Sequence, residues 1–213
     1  MDHRPHPLAF LGSDIRTVLD IGANTGQFAR EARLLFPHAF IHSFEPIEDC
    51  FERLRAGMYA DSRFRAHKVA LGNETGSRRI HVRPYSPSSS LLSMSTLHEE
   101  AFPHTRGGHY EDVEVRRLDD VAPELGIDGT LLVKMDAQGF ERDIISGGSH
   151  TIRNARAVLS ETSFKELYRG QPLFSDIHDL MHVLGFSYAG SLGQKTDPRD
   201  GRILIQDSLF LKP

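Results

Sequence analysis

Two groups of residues near the start of this chain have types and spacings that suit ligand binding. The first is a glycine-punctuated turn, Asp20-Ile21-Gly22-Ala23-Asn24-Thr25-Gly26, which separates an apolar run from an amphipathic segment. The second is Glu45-Pro46, at the end of the next apolar run. A strand, a tight turn and a helix start in this order are typical of a doubly wound α/β sheet, where ligands bind outside the carboxyl ends of the strands. Glu45 is then placed to bind two ribose hydroxyls, so the pattern predicts a nucleoside site.

The spacing of the glycines indicates which kind of nucleoside binds. A dinucleotide-binding turn has the pattern G-x-G-x-x-G, and its second glycine lets the backbone approach a pyrophosphate. Here Asn24 stands where that second glycine would be. A nucleoside without phosphate suits this turn better, and S-adenosylmethionine is such a nucleoside, with its methionine ammonium near Asp20. The alternative is a purely structural turn capped by Asn24 or Thr25.

A third group follows the apolar run at 131–135 and places Asp136 at the end of a central strand. Asp136 should therefore lie on the same rim of the sheet as Asp20 and Glu45. Three carboxylates in one place repel one another and are costly to desolvate. They indicate a cationic ligand, a metal or a proton-transfer role, and a sulfonium cofactor is such a cation. Lys134 lies on the same face of the strand as Asp136, either in an ion pair on the rim or in an active site.

The composition limits the class of protein. The 213 residues suit a single domain spanning 1–213, and a hydrophobic content of 39% with 25% charged residues is ordinary for a globular protein. The net charge of −4 argues against nucleic acid as the main partner. No apolar run reaches the roughly 18 residues of a membrane helix, and residues 1–10 lack a signal-peptide core. The single cysteine, Cys50, suits a reducing cytoplasm.

The hydrophobic periodicity predicts strands alternating with helices, and hence a mainly parallel sheet. Strands are expected at 17–21, 40–45, 64–70, 78–83, 113–118, 130–135, 157–162, 186–190 and 203–211. Helices are expected at 26–36, 47–58, 140–146 and 174–184, with a short one ending near Gly126. The last two strands, joined through Gly190 to Gly201, form a hairpin that would place an antiparallel strand in the sheet.

The segment at 84–109 is too long for a plain connection between two strands. It is rich in Pro, Ser, His and Gly, but Ser88-Ser89-Ser90-Leu91-Leu92 in its middle is too apolar for a free linker. We expect a flap over the site, partly helical from Ser95 to Phe102. The alternative is a mobile surface excursion.

Six motifs resemble, in order and spacing, those of the FkbM family of S-adenosylmethionine-dependent methyltransferases, over about Val18 to Phe164. The usual family pattern after the central strand is Asp-x-Glu-Gly, whereas this chain has Gln138, which removes one charge. The motifs are Asp-Ile-Gly-Ala-Asn-Thr-Gly, Phe-Glu-Pro, Val-Ala-Leu-Gly-Asn, the Ser-Ser-Ser-Leu patch, Leu-Asp-Asp and Lys-Met-Asp-Ala-Gln-Gly-Phe-Glu.

The resemblance implies a Rossmann-like class I methyltransferase fold that carries out O-methylation of a hydroxyl on a sugar or natural product. Glu45 would hold the ribose, Ala70 and Leu71 would flank the adenine, and Asp136 would stand between cofactor and acceptor. Glu161, at the end of the next strand, would either face the acceptor or form an ion pair on the rim. The full set of candidate cofactor-binding residues is Asp20, Gly22, Ala23, Asn24, Gly26, Phe28, Glu45, Pro46, Ala70, Leu71 and Ser90.

Methyl transfer to a hydroxyl requires the acceptor to lose a proton, so a base within reach accelerates it. Asp136 is the first candidate, and histidines of the 84–109 segment are the reserve. Carboxylates would suit Mg²⁺, but His98-Glu99-Glu100 and His104 do not form the H-E-x-x-H zinc pattern, and no metal site is predicted. The candidate catalytic residues are thus Asp136, Lys134, Glu161, His98 and His104, with His109 as a further reserve.

Two other functions remain open on the sequence alone. An NAD-linked oxidoreductase would need the second glycine, which is absent at Asn24, and a Tyr-x-x-x-Lys pair, which no tyrosine of the chain forms. A non-catalytic scaffold would have no need to keep three costly acids. The expected partner of an enzyme is a small-molecule or glycan hydroxyl acceptor, without nucleic acid or membrane span, and homo-oligomer formation is left open.

Overall fold

The computed structural model describes residues 6–213, apart from the side chain of Ser13. The strands are β1 (Ile15–Ile21), β2 (Phe40–Phe44), β3 (Phe64–His67), β4 (Ala70–Gly72), β5 (Gly76–Val82), β6 (His109–Arg117), β7 (Thr130–Met135), β8 (Ala157–Ser163), β9 (Ser187–Thr196) and β10 (Ile203–Leu211). The α-helices are α1 (Gln27–Leu35), α2 (Glu48–Gly57), α3 (Thr96–Ala101), α4 (Leu118–Leu125), α5 (Glu141–Gly147), α6 (Ser149–Arg153) and α7 (Phe174–Val183). Short 3₁₀ turns lie at Ala9–Asp14, Ser86–Ser88 and Pro103–Thr105.

Seven strands form the main sheet in the order β3-β2-β1-β7-β8-β10-β9. The pairs β1–β2, β1–β7, β2–β3 and β7–β8 are parallel, whereas β10 is antiparallel to both β8 and β9. The expected mainly parallel sheet with an antiparallel strand from the C-terminal hairpin is confirmed. The order reverses between β1 and β7, and this switch point is where ligands bind in open α/β sheets.

The two faces of the sheet carry two separate apolar layers, because successive residues of a strand point to opposite faces. Val18 and Leu132 pack on one face with Ala29 of α1. Leu19 and Val133 pack on the other, with residues of α4, α5, α6 and α7. Burial on both faces explains why the central strands have nearly unbroken apolar sequences.

The strand expected at 64–70 is in fact two strands in different sheets. The chain bends at exposed Lys68, where the Val69 amide donates to the His67 carbonyl at 3.1 Å. β3 pairs with β2, while β4 joins a second, three-stranded sheet in the order β4-β6-β5. The sequence pattern also missed α6, which begins directly after Gly148.

The helix expected from Ser95 to Phe102 is present as α3, with the Ser95 hydroxyl accepting from the His98 amide at 3.3 Å. Its Ala101 packs in an apolar cluster with Leu167 and Tyr168, which anchors the second half of the segment. Within residues 6–213, no helix has the length and apolar character that crossing a membrane requires.

Two histidines meet at the edge of the main sheet, away from the switch point. His42 Nδ1 and His67 Nε2 lie 3.0 Å apart, and the rings stack between Phe40 and Phe44. Burial lowers the pKa of each histidine to about 4. Both rings are therefore neutral in the folded protein at pH 7, so one can donate to the other.

This pair should make unfolding pH-dependent in a defined direction. Each histidine takes up a proton on unfolding between pH 4 and its ordinary pKa near 6.5, so its contribution to stability is complete above pH 6.5 and falls as the pH drops. Replacing both by phenylalanine keeps the stack and removes this titration. Urea unfolding measures the effect. Relative to that variant, the free energy of unfolding of wild type should fall by up to about 1.4 kcal/mol for each histidine and each pH unit. The control is His38→Gln, at an exposed histidine. The lowered pKa values would be contradicted if the difference in unfolding free energy between wild type and the double phenylalanine variant were the same at pH 7 and pH 4.

Candidate active site

Residues that follow the carboxyl ends of β1, β2 and β7 line a single cavity of about 540 Å³. This volume lies in the range of small-molecule sites. The sequence-predicted residues Ala23, Phe28 and Pro46 are among those that line it. The first half of the 84–109 segment forms another wall, through Tyr85, Ser86, Pro87, Ser89, Ser90 and Leu91.

The turn after β1 is shaped by close backbone packing. Gly22 has φ +74°, and a Cβ atom there would lie 1.9 Å from the backbone oxygen of Asp136. The amides of Gly22 and Ala23 both donate to the Phe44 carbonyl at 3.0 Å. Only glycine permits this approach, which brings the loops after β1, β2 and β7 together. Gly26, in contrast, lies against Leu54 of α2 and is not part of the cavity wall.

Glu45 lines the cavity at the end of β2 and is held by backbone donors. Its Oε2 accepts from the Asn24 amide at 2.8 Å, and its Oε1 accepts from the Ile47 amide at 2.9 Å. Burial raises the pKa of Glu45 to about 7, although the two amides favour the charged form. Hydrogen-bond donors from a ligand, such as the two hydroxyls of a ribose, would stabilise the carboxylate further.

An apolar slot adjoins Glu45. It includes Ala70 and Leu71, the residues expected to flank an adenine. A planar ring would exclude water from these side chains with little polar cost. The other apolar residues of the slot are Ile47, Val69, Ile80, Phe140 and Ile144.

Asp20 is placed differently from the expectation. It is fully buried and does not line the cavity. The register pairs Asp20 with Ser43 of β2 and Lys134 of β7, so the three side chains form one row. The Ser43 hydroxyl donates to Asp20 Oδ2 at 3.0 Å, and Lys134 Nζ lies 3.2 Å from Oδ1. The expected contact of Asp20 with a methionine ammonium is therefore not supported, because a lysine already occupies that side.

Lys134 forms an ion pair and also reaches the cavity, so the structure supports the first of the two alternatives and leaves a role in an active site as a prediction. It forms the ion pair with Asp20, and it also lines the cavity, 3.9 Å from Asp136 Oδ2. Its ammonium donates to the Gly22 carbonyl at 3.0 Å. Burial alone would lower the pKa of Lys134, but the Asp20 and Asp136 carboxylates outweigh it and raise the pKa. Lys134 is therefore a fixed cation beside Asp136.

Asp136 and Glu161 are joined through Gln138. The Gln138 amide nitrogen donates to Asp136 Oδ1 at 2.7 Å and to Glu161 Oε2 at 2.6 Å. Glu161 does not line the cavity, and Lys195 Nζ lies 3.3 Å from its other oxygen. Burial, with the nearby Asp136 charge, raises the pKa of Glu161 well above its ordinary value. Direct contact of Glu161 with an acceptor is not supported, because Gln138 stands between it and the cavity.

The reserve histidines do not line the cavity. His98 is buried against Phe102 and Tyr168, and burial lowers its pKa to about 4. His104 packs edge-on against Tyr85, and His109 Nε2 lies 2.9 Å from Glu111. The structure does not bring His98 or His104 into the cavity wall, and a catalytic role for either stays a prediction. The sequence placed these histidines within 84–109 but gave no sign of which side chains of that segment face the cavity.

Sequence reasoning also missed one side of the cavity. Glu31 of α1, Leu159 of β8, Leu192 of β9 and Asp207 of β10 all line it. In the order of the main sheet, β8, β10 and β9 lie beyond β7, on the opposite side from β2. Asp136 follows β7 and so stands between the Glu45 side and this second side. No motif marks these residues, since they come from elements far apart in the chain.

Comparisons with known proteins identify the family. The sequence model of the methyltransferase FkbM domain matches residues 20–188. This chain belongs to the FkbM methyltransferase family. It is 34% identical over 172 residues to the 2-O-methyltransferase NoeI of Sinorhizobium fredii, covering 77% of this chain and 70% of NoeI. It is 31% identical over 156 residues to the 31-O-demethyl-FK506 methyltransferase FkbM of Streptomyces tacrolimicus, covering 61% of this chain and 58% of that protein.

Solved structures agree on the fold of this FkbM-family chain. The methyltransferase FkbM of Methylobacillus flagellatus superposes with a TM-score of 0.55 at 16% identity, covering 93% of this chain and 44% of that one. The magnesium protoporphyrin IX methyltransferase ChlM of Synechocystis, solved with bound S-adenosylmethionine, gives a TM-score of 0.52 at 14% identity, covering 97% of this chain and 74% of that one. The expected class I methyltransferase fold is confirmed.

The Asp20–Lys134 pair should be essential to stability. Lys134→Met should lower the free energy of unfolding by about 3 kcal/mol or more, because it leaves a buried carboxylate without its cation. Asp20→Asn combined with Lys134→Met removes both charges and should recover a large part of the loss. Urea unfolding measures both variants. Lys68→Met, which breaks the exposed pair with Glu48, is the control and should cost no more than about 1 kcal/mol. Equal losses in the single and double variants would refute the pairing.

Proposed function

We propose that this protein transfers a methyl group from S-adenosylmethionine to a hydroxyl of a small-molecule or glycan acceptor. The observation that carries the proposal is the position of Asp136 in one continuous cavity. On one side lie Glu45 and the apolar slot, and the other side includes Glu31 and Asp207 together with apolar residues. Such a cavity can hold two molecules with a carboxylate at their junction.

The first side fits the proposed cofactor. Glu45 offers two carboxylate oxygens to the vicinal hydroxyls of a ribose, and the slot around Ala70 and Leu71 suits an adenine ring. S-adenosylmethionine supplies an electrophilic methyl group on a positively charged sulfur. Asn24 and Asp136 are then available to bind the methionine portion. The Asn24 side-chain amide donates to the Ser86 hydroxyl of the flap at 3.1 Å. The family match and the S-adenosylmethionine-bound structural neighbour support the same cofactor.

The second side fits a hydroxylated acceptor. Phe28, Leu159 and Leu192 provide an apolar surface for the carbon skeleton of a ring, and Glu31 and Asp207 provide hydrogen-bond acceptors for hydroxyl groups. Sugars combine these two properties, as do oxygen-rich natural products. The names of the relatives support this class, since NoeI is a 2-O-methyltransferase and FkbM acts on 31-O-demethyl-FK506.

In the proposed mechanism, Asp136 orients the acceptor hydroxyl and takes its proton. The Lys134 ammonium lies 3.9 Å from Asp136 Oδ2, on the same face of β7. The apolar side chains exclude water, and alignment of the two reactants supplies most of the acceleration because the leaving thioether needs no acid. Family membership argues against the NAD-linked alternative. A scaffold without activity is tested by the turnover experiment below. Homo-oligomer formation and a cytoplasmic location stay predictions.

The decisive test has two parts. Calorimetry should detect S-adenosylmethionine binding to the purified protein. A panel of hydroxylated sugars and polyketide-like alcohols should then be screened by release of S-adenosylhomocysteine, with mass spectrometry of the product. Cofactor binding without turnover on any member would favour the scaffold, and absence of cofactor binding would reject the proposal.

Glu45 should carry the affinity for the ribose. Glu45→Gln should weaken S-adenosylmethionine binding by about 2 kcal/mol, since charged hydrogen bonds to two hydroxyls are lost. In wild type, affinity should also decrease as the pH falls below about 7, because the raised pKa of Glu45 then leaves less carboxylate to bind the diol. Calorimetry of both proteins measures the effect. The exposed Glu52→Gln on α2 is the control, and an affinity of Glu45→Gln equal to that of the control would disprove the role.

Asp136 should matter more for turnover than for cofactor affinity. Asp136→Asn keeps the shape and one acceptor oxygen but cannot take a proton. Turnover should fall by roughly 10² or more, a typical contribution of a general base, while cofactor affinity changes little. Single-turnover kinetics and calorimetry separate the two quantities. If cofactor binding suffers first, Asp136 mainly balances the charge of the cofactor and another base must be sought.

A further inference from the structure

Gln138 is a buried amide whose hydrogen-bonding groups are all engaged. Its nitrogen donates to Asp136 at 2.7 Å and to Glu161 at 2.6 Å. Its side-chain oxygen accepts from the Tyr168 hydroxyl at 2.9 Å, and its backbone oxygen accepts from the Ser90 hydroxyl at 2.8 Å. The neighbours match this orientation of the amide, since the carboxyl oxygens of Asp136 and Glu161 accept from its nitrogen and the tyrosine hydroxyl donates to its oxygen.

The backbone at Gln138 shows that this position is held by its contacts. Its φ is +51°, in the left-handed region that a glutamine rarely adopts. Glu141 closes the turn beneath it by accepting from the amides of Ala137 at 2.8 Å and Gly139 at 3.4 Å. A strained conformation persists where the surroundings determine it, and such residues cluster at functional sites.

We propose that Gln138 is a positioning residue of the methyl-transfer reaction, which separates the Asp136 and Glu161 carboxylates and directs Asp136 into the cavity. This rests on the proposed role of Asp136 as the base. Both carboxyl groups lie within 2.7 Å of the same nitrogen, and two carboxylates this near to each other would repel if no donor stood between them. The amide gives each a hydrogen bond without adding a charge, so Asp136 is left free to accept the proton of an acceptor hydroxyl.

Tyr168 links this arrangement to the flap. Its hydroxyl lies 3.0 Å from the Ser88 carbonyl as well as 2.9 Å from the Gln138 oxygen. The single hydroxyl hydrogen serves one of these acceptors at a time. Ser88 and Ser90 belong to the flap, so the orientation of the Gln138 amide depends on the position of the segment that forms the cavity wall.

The glutamine is the informative choice at this position. A glutamate would have the same shape but would place a third carboxyl between Asp136 and Glu161, and the three would have to hold at least one proton. The neighbouring lysines could not neutralise the added negative charge, since Lys134 is paired with Asp20 and Lys195 with Glu161. Charged and titratable groups surround Asp136, residue 138 and Glu161. These groups include Asp20 of β1, Lys134 of β7, Glu141 of α5, Lys195 of β9, Asp207 of β10, Arg83 directly after β5, His98 of α3, and Tyr168.

The test is the variant Gln138→Glu, which is measured in two ways: by the pH dependence of its stability and by the pH dependence of its turnover. The new carboxyl should keep its proton in the folded protein and lose it on unfolding, so the variant should lose stability relative to wild type as the pH rises. The difference in urea midpoint should therefore widen between about pH 5 and pH 8. In kinetics, the acid limb of the pH–turnover profile should move upward by about one pH unit or more, with cofactor affinity changed by less than about threefold.

Two further variants sharpen the test. Gln194→Glu adds the same charge on the exposed part of β9 and should move neither the acid limb nor the urea midpoint in a pH-dependent way. Tyr168→Phe leaves the amide donors in place but frees the amide to rotate. It should lower turnover by about three- to tenfold, a loss consistent with one hydrogen bond, without moving the limb.

The outcomes separate this inference from the proposed function. An unmoved acid limb in active Gln138→Glu, or a midpoint difference that stays constant with pH, overturns the positioning role. Loss of cofactor binding in this variant also overturns it, because Gln138 would then belong to the cofactor site. If wild type binds no cofactor and methylates no acceptor while the midpoint difference still widens, the separation of the carboxylates stands and the proposed reaction fails.

Discussion

Burying the Asp20 carboxylate at the centre of the sheet requires a cation, and Lys134 on the neighbouring strand supplies it. The pair lies between β1 and β7, the two strands at which the order of the sheet reverses. A slip of one residue in either strand would turn one of the charges to the opposite face and leave the other alone. The ion pair therefore favours the single register in which the loops after these strands meet, with Gly22 packed against the Asp136 carbonyl.

From this pair, charges and neutral donors alternate across the site. Asp20 meets Lys134, Lys134 approaches Asp136, and Gln138 connects Asp136 to Glu161, which Lys195 balances. No two carboxylates in this row are direct hydrogen-bond neighbours. The alternation keeps the carboxyl groups of Asp20, Asp136 and Glu161 out of direct contact with one another. It also makes the row sensitive to any change of charge at one position.

Hydrophobic patterning predicted most of the fold because parallel strands buried on both faces have long apolar sequences. The run at 64–70 shows the limit. The hydrophobic pattern there predicts an extended chain, but it does not show that the chain bends at Lys68 and continues in another sheet. In the same way, a short helix such as α6 gives too few turns for a periodic signal. Contacts with the rest of the protein decide both cases.

The sequence identified candidate site residues by the strand that each one follows. This reasoning was enough to predict that Glu45, Asp136, Ala70 and Leu71 lie near one another, since all of them line the cavity. It was insufficient for Asp20, because the end of a strand does not reveal whether a side chain from the next strand covers it. It gave no sign that His98 packs against Tyr168, because this packing depends on contacts distant in sequence.

The two sides of the cavity differ in how they are encoded. The side proposed for the cofactor comes largely from short loops directly after strands, so its residues lie in compact motifs. The opposite side is assembled from Glu31, Leu159, Leu192 and Asp207, single positions on a helix and three strands whose other residues serve the core and the sheet. A single residue within a strand leaves no pattern of its own beyond the alternation of faces. Changes there can alter the shape and charge offered to an acceptor while the motif loops and the Asp20–Lys134 register stay the same.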